Sequence, residues 1–188
     1  LSPAQTREPV TTDLDRMAAT ERAFAAATAL IGVRDGFLTF LTPDAIDIAP
    51  VDGRLAIVSL PARLRAQAPP SLPLRRTLLW EPRWGAISSA GDLGWLTGPY
   101  RNATQDAPDQ DRHGAYFSIW RRQADGTYKV RLDIGIDTAR AVVFPEGFTR
   151  ATPPVAVPAG APAATEGDIR AVEARFAEDA LAGVGPAY

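Results

Sequence analysis

Three side chains near the end of the first 140 residues have the types and spacing to handle protons. Tyr116, Arg131 and Asp133 are a phenol, a guanidinium and a carboxyl. They fall in two runs, Tyr116 to Arg122 and Thr127 to Gly135, both rich in aromatic and β-branched residues. If their face lines a cavity, a carboxyl beside a phenol at low dielectric acts as acid or base, or fixes a polar group of a ligand. If it points outward, the same residues form a solvated or dimer-contacting surface. His113, the single histidine, stands at the strand start just before the first of these runs, and its unperturbed pKa lies nearest neutrality. Trp80, Trp84, Trp95 and Tyr100 add aromatic bulk that serves either core packing or a flat hydrophobic ligand. The candidate ligand-binding residues are therefore Tyr116, Asp133, Arg131, Trp95, His113 and Trp80. No complete catalytic set is legible among them.

The two runs are separated by Gln123-Ala124-Asp125-Gly126, with Gly where a positive φ is needed, and so read as one hairpin. If that four-residue loop closes it, Arg122 lies opposite Thr127 and the other pairs follow by counting. Ala115, Phe117 and Ile119 then share a face with Val130, Leu132 and Ile134. Tyr116, Ser118 and Trp120 share the other with Lys129, Arg131 and Asp133. A slip of one residue would set Phe117 against Arg131, so the alternation predicts that the first, apolar face is the buried one. On the second face it predicts a cation–π pair of Trp120 with Lys129 and a hydrogen bond of Tyr116 with Asp133.

Composition removes several chemistries. Cysteine is absent, which excludes disulfides, thiolate zinc sites and cysteine nucleophiles. A lone histidine with no HxH or HExxH spacing predicts no metal. No glycine-rich phosphate loop follows a strand and no Ser-His-Asp grouping can be argued, so no cofactor is predicted. The net charge of -2, with arginines scattered among acids, argues against nucleic acid or an anionic membrane as partner. No apolar run approaches the roughly 20 residues that span a bilayer. Asn102-Ala103-Thr104 matches a glycosylation sequon. The chain starts at Leu1, followed by SPAQTREPV, and the reading is of a signal peptide or tag removed and a protein exported to the periplasm or secreted.

A chain of 188 residues suits one domain and a fragment of another. Residues 1–12 read as an N-terminal extension. Thr12 with Asp15 resembles a capping box, and Leu14, Met17, Ala18, Phe24 and Ala25 recur at helical spacing up to Leu30. Gly32 ends this helix, and Val33 to Leu41 continues as a second one before Thr42-Pro43-Asp44. Ala45 to Ala49 reads as a strand, Gly53 as the start of a helix over Arg54 to Leu60, and Leu78 to Ser88 as a strand interrupted at Pro82. Asp92 to Tyr100 follows as a strand, and 102–112 as a polar loop. The domain is placed at 13–140, a Pro/Ala-rich linker at 141–164, and a C-terminal helix at 165–188. Glu173-Ala174-Arg175-Phe176-Ala177, with Gly183 and Tyr188 beyond, can be laid over Glu21-Arg22-Ala23-Phe24-Ala25, Gly32 and Phe37. That similarity reads either as chance between two Ala-rich helices or as the start of a second copy of the domain.

The segments ERAFAAATALIGVRDGFLTFLTPDAI, LLWEPRWGAISSAGDLGWLTGPY and YFSIWRRQADGTYKVRLDIG resemble the nuclear transport factor 2-like superfamily, in its SnoaL-like bacterial branch of unknown function. The resemblance covers about Asp13 to Asp137. It implies an α+β, cystatin-like cone, with N-terminal helices packed in a curved antiparallel sheet and an apolar pocket between them. It also implies a homodimer through the outer face of the sheet. That scaffold hosts isomerases, cyclases, dehydratases, hydrolases and plain binding domains, so function has to come from the site. The ketosteroid isomerases place a general-base Asp just before the Pro that ends the first strand, where this chain has Ala49 before Pro50. Asp47 starts roughly 7 Å away at about 3.3 Å of rise per residue. The Asp-Arg-Asp set of the limonene epoxide hydrolases has no matched arrangement in Asp133, Arg131 and Asp92, and His113 alone does not supply the histidines of a scytalone-type dehydratase. The expectation is a small-molecule-binding protein with a hydrophobic pocket. The alternatives are a cyclase or isomerase using Asp133, Tyr116 or His113 for proton transfer on a hydrophobic substrate, and a protein-interaction domain.

Overall fold

The computed structural model describes residues 12–151 and 164–181, in two compact units, Leu1–Thr152 and Pro153–Tyr188. In the first unit, helix α1 (Asp13–Ile31) opens on the capping box: Thr12 Oγ accepts from the Asp15 amide and the Asp15 carboxylate accepts from the Thr12 amide. Its apolar stripe buries Leu14, Met17, Ala18 and Phe24, with Glu21 and Thr28 in the same stripe. Gly32, at φ 87°, breaks the chain into α2 (Val33–Phe40). Gly36 lies against Thr28, where a Cβ would meet the Thr28 Cα at 2.6 Å, so the two helices cross closely only because it is glycine.

The sheet is built from β1 (Leu41–Val51), β2 (Arg54–Ser59), β3 (Arg76–Trp80), β4 (Trp84–Ile87), β5 (Leu93–Thr104), β6 (Arg112–Arg122), β7 (Tyr128–Thr138) and β8 (Thr149–Arg150). The spatial order is β2-β1-β7-β6-β5-β4-β8, with β3 also paired to β5. Helix α3 (Leu60–Arg65) follows β2. Thus β5 carries β6 on one side and both β3 and β4 on the other, the chain turning at Glu81–Arg83 over Gly98. A Cβ on Gly98 would sit 2.0 Å from the Glu81 carbonyl oxygen, so the crossing requires glycine. The core lies between α1, α2, α3 and one face of the sheet, centred on Phe24, whose ring lies 4.6 Å from Phe37 and 4.8 Å from Trp80. This is the α+β cone that the resemblance implies, except that its curved sheet is mixed and not wholly antiparallel, since β1 runs parallel to β7 and β8 parallel to β4. No described helix is long and apolar enough to cross a membrane.

Several sequence expectations need correction. Arg54 to Leu60 is not a helix: Asp52 and Gly53, both at positive φ, make a two-residue turn that pairs Val51 with Arg54, and the helix starts only at Leu60. The Asp-Gly pair outweighs the helical spacing of the residues after it. Leu78 to Ser88 is two strands, and the segment read as a polar loop contributes Asn102 to Thr104 to β5.

The register of the β6–β7 hairpin also differs. Arg122 pairs with Tyr128, and a bulge at Arg131 sets Ile119 opposite Leu132, Ser118 opposite Asp133 and Tyr116 opposite Gly135. The face that packs on the helices is the one carrying Tyr116, Ser118 and Trp120, now joined by Val130 and Tyr128. The apolar face with Phe117, Ile119, Leu132 and Ile134 is the outer one, half-buried, with Trp95 stacked on Phe117 at 5.8 Å. Alternation finds two faces but not which one the helices cover, because buried hydrogen-bonding partners make the polar face an interior. The predicted Trp120–Lys129 and Tyr116–Asp133 pairs do not form. Lys129 lies over Phe40, 5.8 Å from the ring centre, and no hydrogen-bond partner reaches the Tyr116 hydroxyl.

Past Thr138 the chain stays with the first unit. Phe148 packs on the core, and β8 runs parallel to β4. In the second unit α4 (Glu166–Leu181) opens on a capping box with the same geometry as that of α1, Thr165 Oγ accepting from the Asp168 amide at 3.2 Å. Residues 1–11, residues 152–163 of the Pro/Ala-rich segment, and Gly183 and Tyr188 of the internal similarity lie outside the described residues.

Candidate functional site

Strand alternation aims every second side chain of β5, β6 and β7 into the concave side of the sheet. At one end, beside α2, these side chains stop short of filling it. They leave a cavity of about 220 Å³. Its apolar wall is Phe37 of α2 with Leu78 and Trp80 of β3. Its polar floor is Tyr116 and Asp133, diagonal neighbours on β6 and β7 because Tyr116 faces Gly135 and Ser118 faces Asp133. Its rim is Tyr100 and Asn102 of β5, Arg112 and Asp137. At the rim the Asp137 carboxylate joins two partners, accepting from the Tyr100 hydroxyl and pairing with Arg112.

The floor has unusual electrostatics. Burial pushes the Tyr116 hydroxyl far up, and the nearby Glu21 and Asp133 carboxyls push it further, so it stays a phenol. Burial, with Glu21 and Asp47 as like charges, also holds the Asp133 carboxyl well above the carboxylate range. Both groups thus favour their protonated, hydrogen-bond-donating forms. The Tyr116 hydroxyl is buried and unpaired, a polar atom left for a ligand to satisfy.

Glu21, a residue that sequence reasoning passed over, lies behind this floor. It is fully buried, with relative exposure of 0%. Its Oε1 accepts from Trp80 Nε1 at 2.7 Å, and its Oε2 accepts from Ser118 Oγ at 2.8 Å and Trp120 Nε1 at 2.9 Å. Burial, with the like charge of Glu81, raises its pKa above the ordinary carboxylate value, and the three hydrogen bonds pull against that rise. The signal was present: Glu21 stands three residues after Ala18 and three before Phe24, inside the apolar stripe of α1. A carboxyl there needs buried donors.

Of the six candidate residues, Tyr116, Asp133 and Trp80 come together at the cavity. The other three lie elsewhere. Arg131 is the bulged residue, its Nε 3.4 Å from Asp44, which also binds Arg121 at 3.0 Å. Trp95 is on the outer face between Trp84 and Phe117. His113, half-buried, stands near the strand end between Arg101 and Thr138. Asp47 is ion-paired with Arg63, and Asp92 is held by Ser88 in the turn before β5. Asn102 of the sequon is half-buried on a paired strand and lines the rim. No group of three or more His, Cys, Asp or Glu among the described residues could hold a metal ion.

No family model matches the sequence, and no curated protein matches it. Solved structures do. A candidate ketosteroid isomerase from Parabacteroides distasonis is 14% identical, covers 73% of this chain and 94% of its own, and gives a TM-score of 0.46. A nuclear transport factor 2-like protein of unknown function from Shewanella oneidensis is 10% identical over 66% of this chain and 98% of its own, at a TM-score of 0.49. Another from Silicibacter pomeroyi is 13% identical over 65% and 94%, at 0.40. With all three scores below 0.5, the fold rests on the strand order and register above, and the chemistry on the cavity.

Proposed function

We propose that this nuclear transport factor 2-like cone is a small-molecule-binding domain whose ligand is neutral, largely apolar and carries a hydrogen-bond acceptor such as a carbonyl oxygen. The observation that carries the reading is the unpaired Tyr116 hydroxyl, on a residue that lines the cavity opposite the apolar wall of Phe37, Leu78 and Trp80, beside an acid that favours its neutral form. In their protonated forms both groups are donors, so an acceptor suits them, while an anion would meet the charges of Glu21 and Asp47, the Arg112 cation at the rim being already paired with Asp137. At about 220 Å³ the cavity is smaller than the about 300–1,000 Å³ of drug-sized sites, which favours a ligand of one or two rings. Native mass spectrometry of protein purified without added ligand, followed by fluorine NMR titration with para-fluoroacetophenone, tests this. A retained neutral adduct, or saturable binding of the ketone lost in Tyr116→Phe, is expected. A bare protein that ignores the ketone overturns it.

The outer face favours a second reading for the partner, a second copy of the chain. Ile48 is 45% exposed, Ile57 71%, Trp84 48% and Ile136 66%, and with Phe117, Ile119 and Trp95 they form an apolar band across the sheet. Burying such a band against its own copy by a two-fold axis needs no other partner chemistry. Light scattering should give a dimer mass that Ile57→Lys converts to the monomer mass. A monomeric wild type would refute it.

A further inference from the structure

The strongest unused group in the molecule is the Glu21 carboxyl. It touches no solvent and is not among the residues lining the cavity, yet three donors converge on it from two strands. Two of these, the indole N–H groups of Trp80 and Trp120, can only donate. A protonated Glu21 would have to place its own O–H against one of them or against Ser118, whose hydroxyl would then turn to the Leu96 carbonyl, 3.4 Å away. The arrangement therefore suits an ionised carboxylate. Asp133 has the opposite surroundings, since none of the described residues donates a hydrogen bond to it and its neighbours Glu21 and Asp47 carry the same sign.

We propose that Glu21 is the positioning residue of the cavity: as a carboxylate it fixes the Trp80 indole in the wall, and by its charge it keeps the proton on Asp133. This rests on the ligand-binding reading of the same cavity. The two carboxyls share one proton between them at neutral pH, and the hydrogen bonds decide where it stays. The floor then presents the Tyr116 and Asp133 hydroxyls together, and ligand binding is lost when Asp133 ionises. Of the other charges around this pair, Arg112 and Asp137 at the cavity rim are paired with each other. Asp47 of β1 is paired with Arg63 of α3, and Glu81, between β3 and β4, is paired with Arg22 of α1 at 2.8 Å.

The test combines two measurements on the full chain. Carbon NMR of the side-chain carboxyls, assigned with Asp133→Asn and Glu21→Gln, reads where the proton sits. Fluorine NMR reads binding of para-fluoroacetophenone as a function of pH. In wild type we expect Asp133 protonated and Glu21 ionised at neutral pH, with ketone binding lost as pH rises through the Asp133 titration. In Glu21→Gln the like charge is gone, so the midpoint of that loss moves to lower pH. Affinity at neutral pH falls about tenfold, the scale of one hydrogen bond at the indole. Trp80→Phe removes the indole N–H but keeps the charge, so it weakens binding without moving the midpoint. A folded Glu21→Gln with the wild-type midpoint overturns the proposal. If that variant does not fold, the wild-type carboxyl spectrum decides, and a proton found on Glu21 with Asp133 ionised overturns it. A wild type that ignores the ketone at every pH sinks the ligand reading instead, while the carboxyl spectrum still judges Glu21.

Discussion

The ring of Tyr100 lies over Gly114, its cross-strand partner: a Cβ on Gly114 would stand 2.4 Å from Tyr100 Cε1 and 2.2 Å from the Ile136 carbonyl oxygen. The missing side chain lets the Tyr100 ring cross β6 and reach the Asp137 carboxylate at the cavity rim. Gly114→Ala should therefore displace Tyr100 and the backbone of β7 together, costing about 1–3 kcal/mol as overpacking does. Urea unfolding measures the cost. A variant as stable as wild type would show that the ring does not rest there.

Asp133 makes stability depend on pH with a definite sign. Its folded-state pKa is raised above the unfolded value, so the folded state holds the proton more tightly, and stability is lost as pH rises from the ordinary carboxylate range through the raised value. Asp133→Asn keeps the shape without the proton. The variant should match wild type in acid and exceed it at neutral to alkaline pH, with a flatter profile. Melting temperatures across pH check this, and parallel profiles would contradict it.

Tyr116→Phe separates ligand binding from folding. The hydroxyl is buried and has no partner, so its removal should leave stability unchanged or raise it by up to about 1 kcal/mol. Binding of para-fluoroacetophenone should fall at the same time. A clear loss of stability would mean that the hydroxyl is already paired within the protein.

Much of this was legible in the sequence, and the failures have physical causes. The capping box of α1, its apolar stripe and the two-faced hairpin follow from local spacing alone. The depth of the cavity and the choice of interior face do not, because they depend on what α1 brings to the sheet. Glu21 supplies acceptors for Trp80, Ser118 and Trp120, which turns a face read as polar into the core. The bulge at Arg131 moves that side chain out to Asp44, and no local pattern marks it. Tyr116, Asp133 and Trp80 could be chosen by type, whereas their meeting depends on pairings among strands far apart in the chain.

The Asp52-Gly53 turn isolates a purely conformational cost. Gly53 sits at φ 76°, and nothing lies within 4 Å of where its Cβ would be. Gly53→Ala should cost about 1 kcal/mol through backbone strain alone, and Gly53→Asn should recover part of it, because Asn tolerates that region. Chemical denaturation of the pair decides. Equal stability of all three proteins would mean that the turn rearranges.

Thr12 stabilises two elements at once. Its hydroxyl caps α1 through the Asp15 amide and also accepts from Arg150 Nη1 at 3.0 Å, while Arg150 pairs with the Asp15 carboxylate. The last strand of the first unit is thereby tied to the first helix. Thr12→Ala should cost about 1 kcal/mol, the usual value of a lost N-cap, and Arg150→Ala should cost less in its presence than alone. The hydrogen bonds from Thr12, with Arg150 beside it, hold the Asp15 carboxyl below the usual carboxylate range. Its contribution is therefore present above the unfolded pKa and lost as pH falls through the folded one. The Thr12→Ala penalty should shrink in acid, and a penalty independent of pH would show that Asp15 takes no part in the cap.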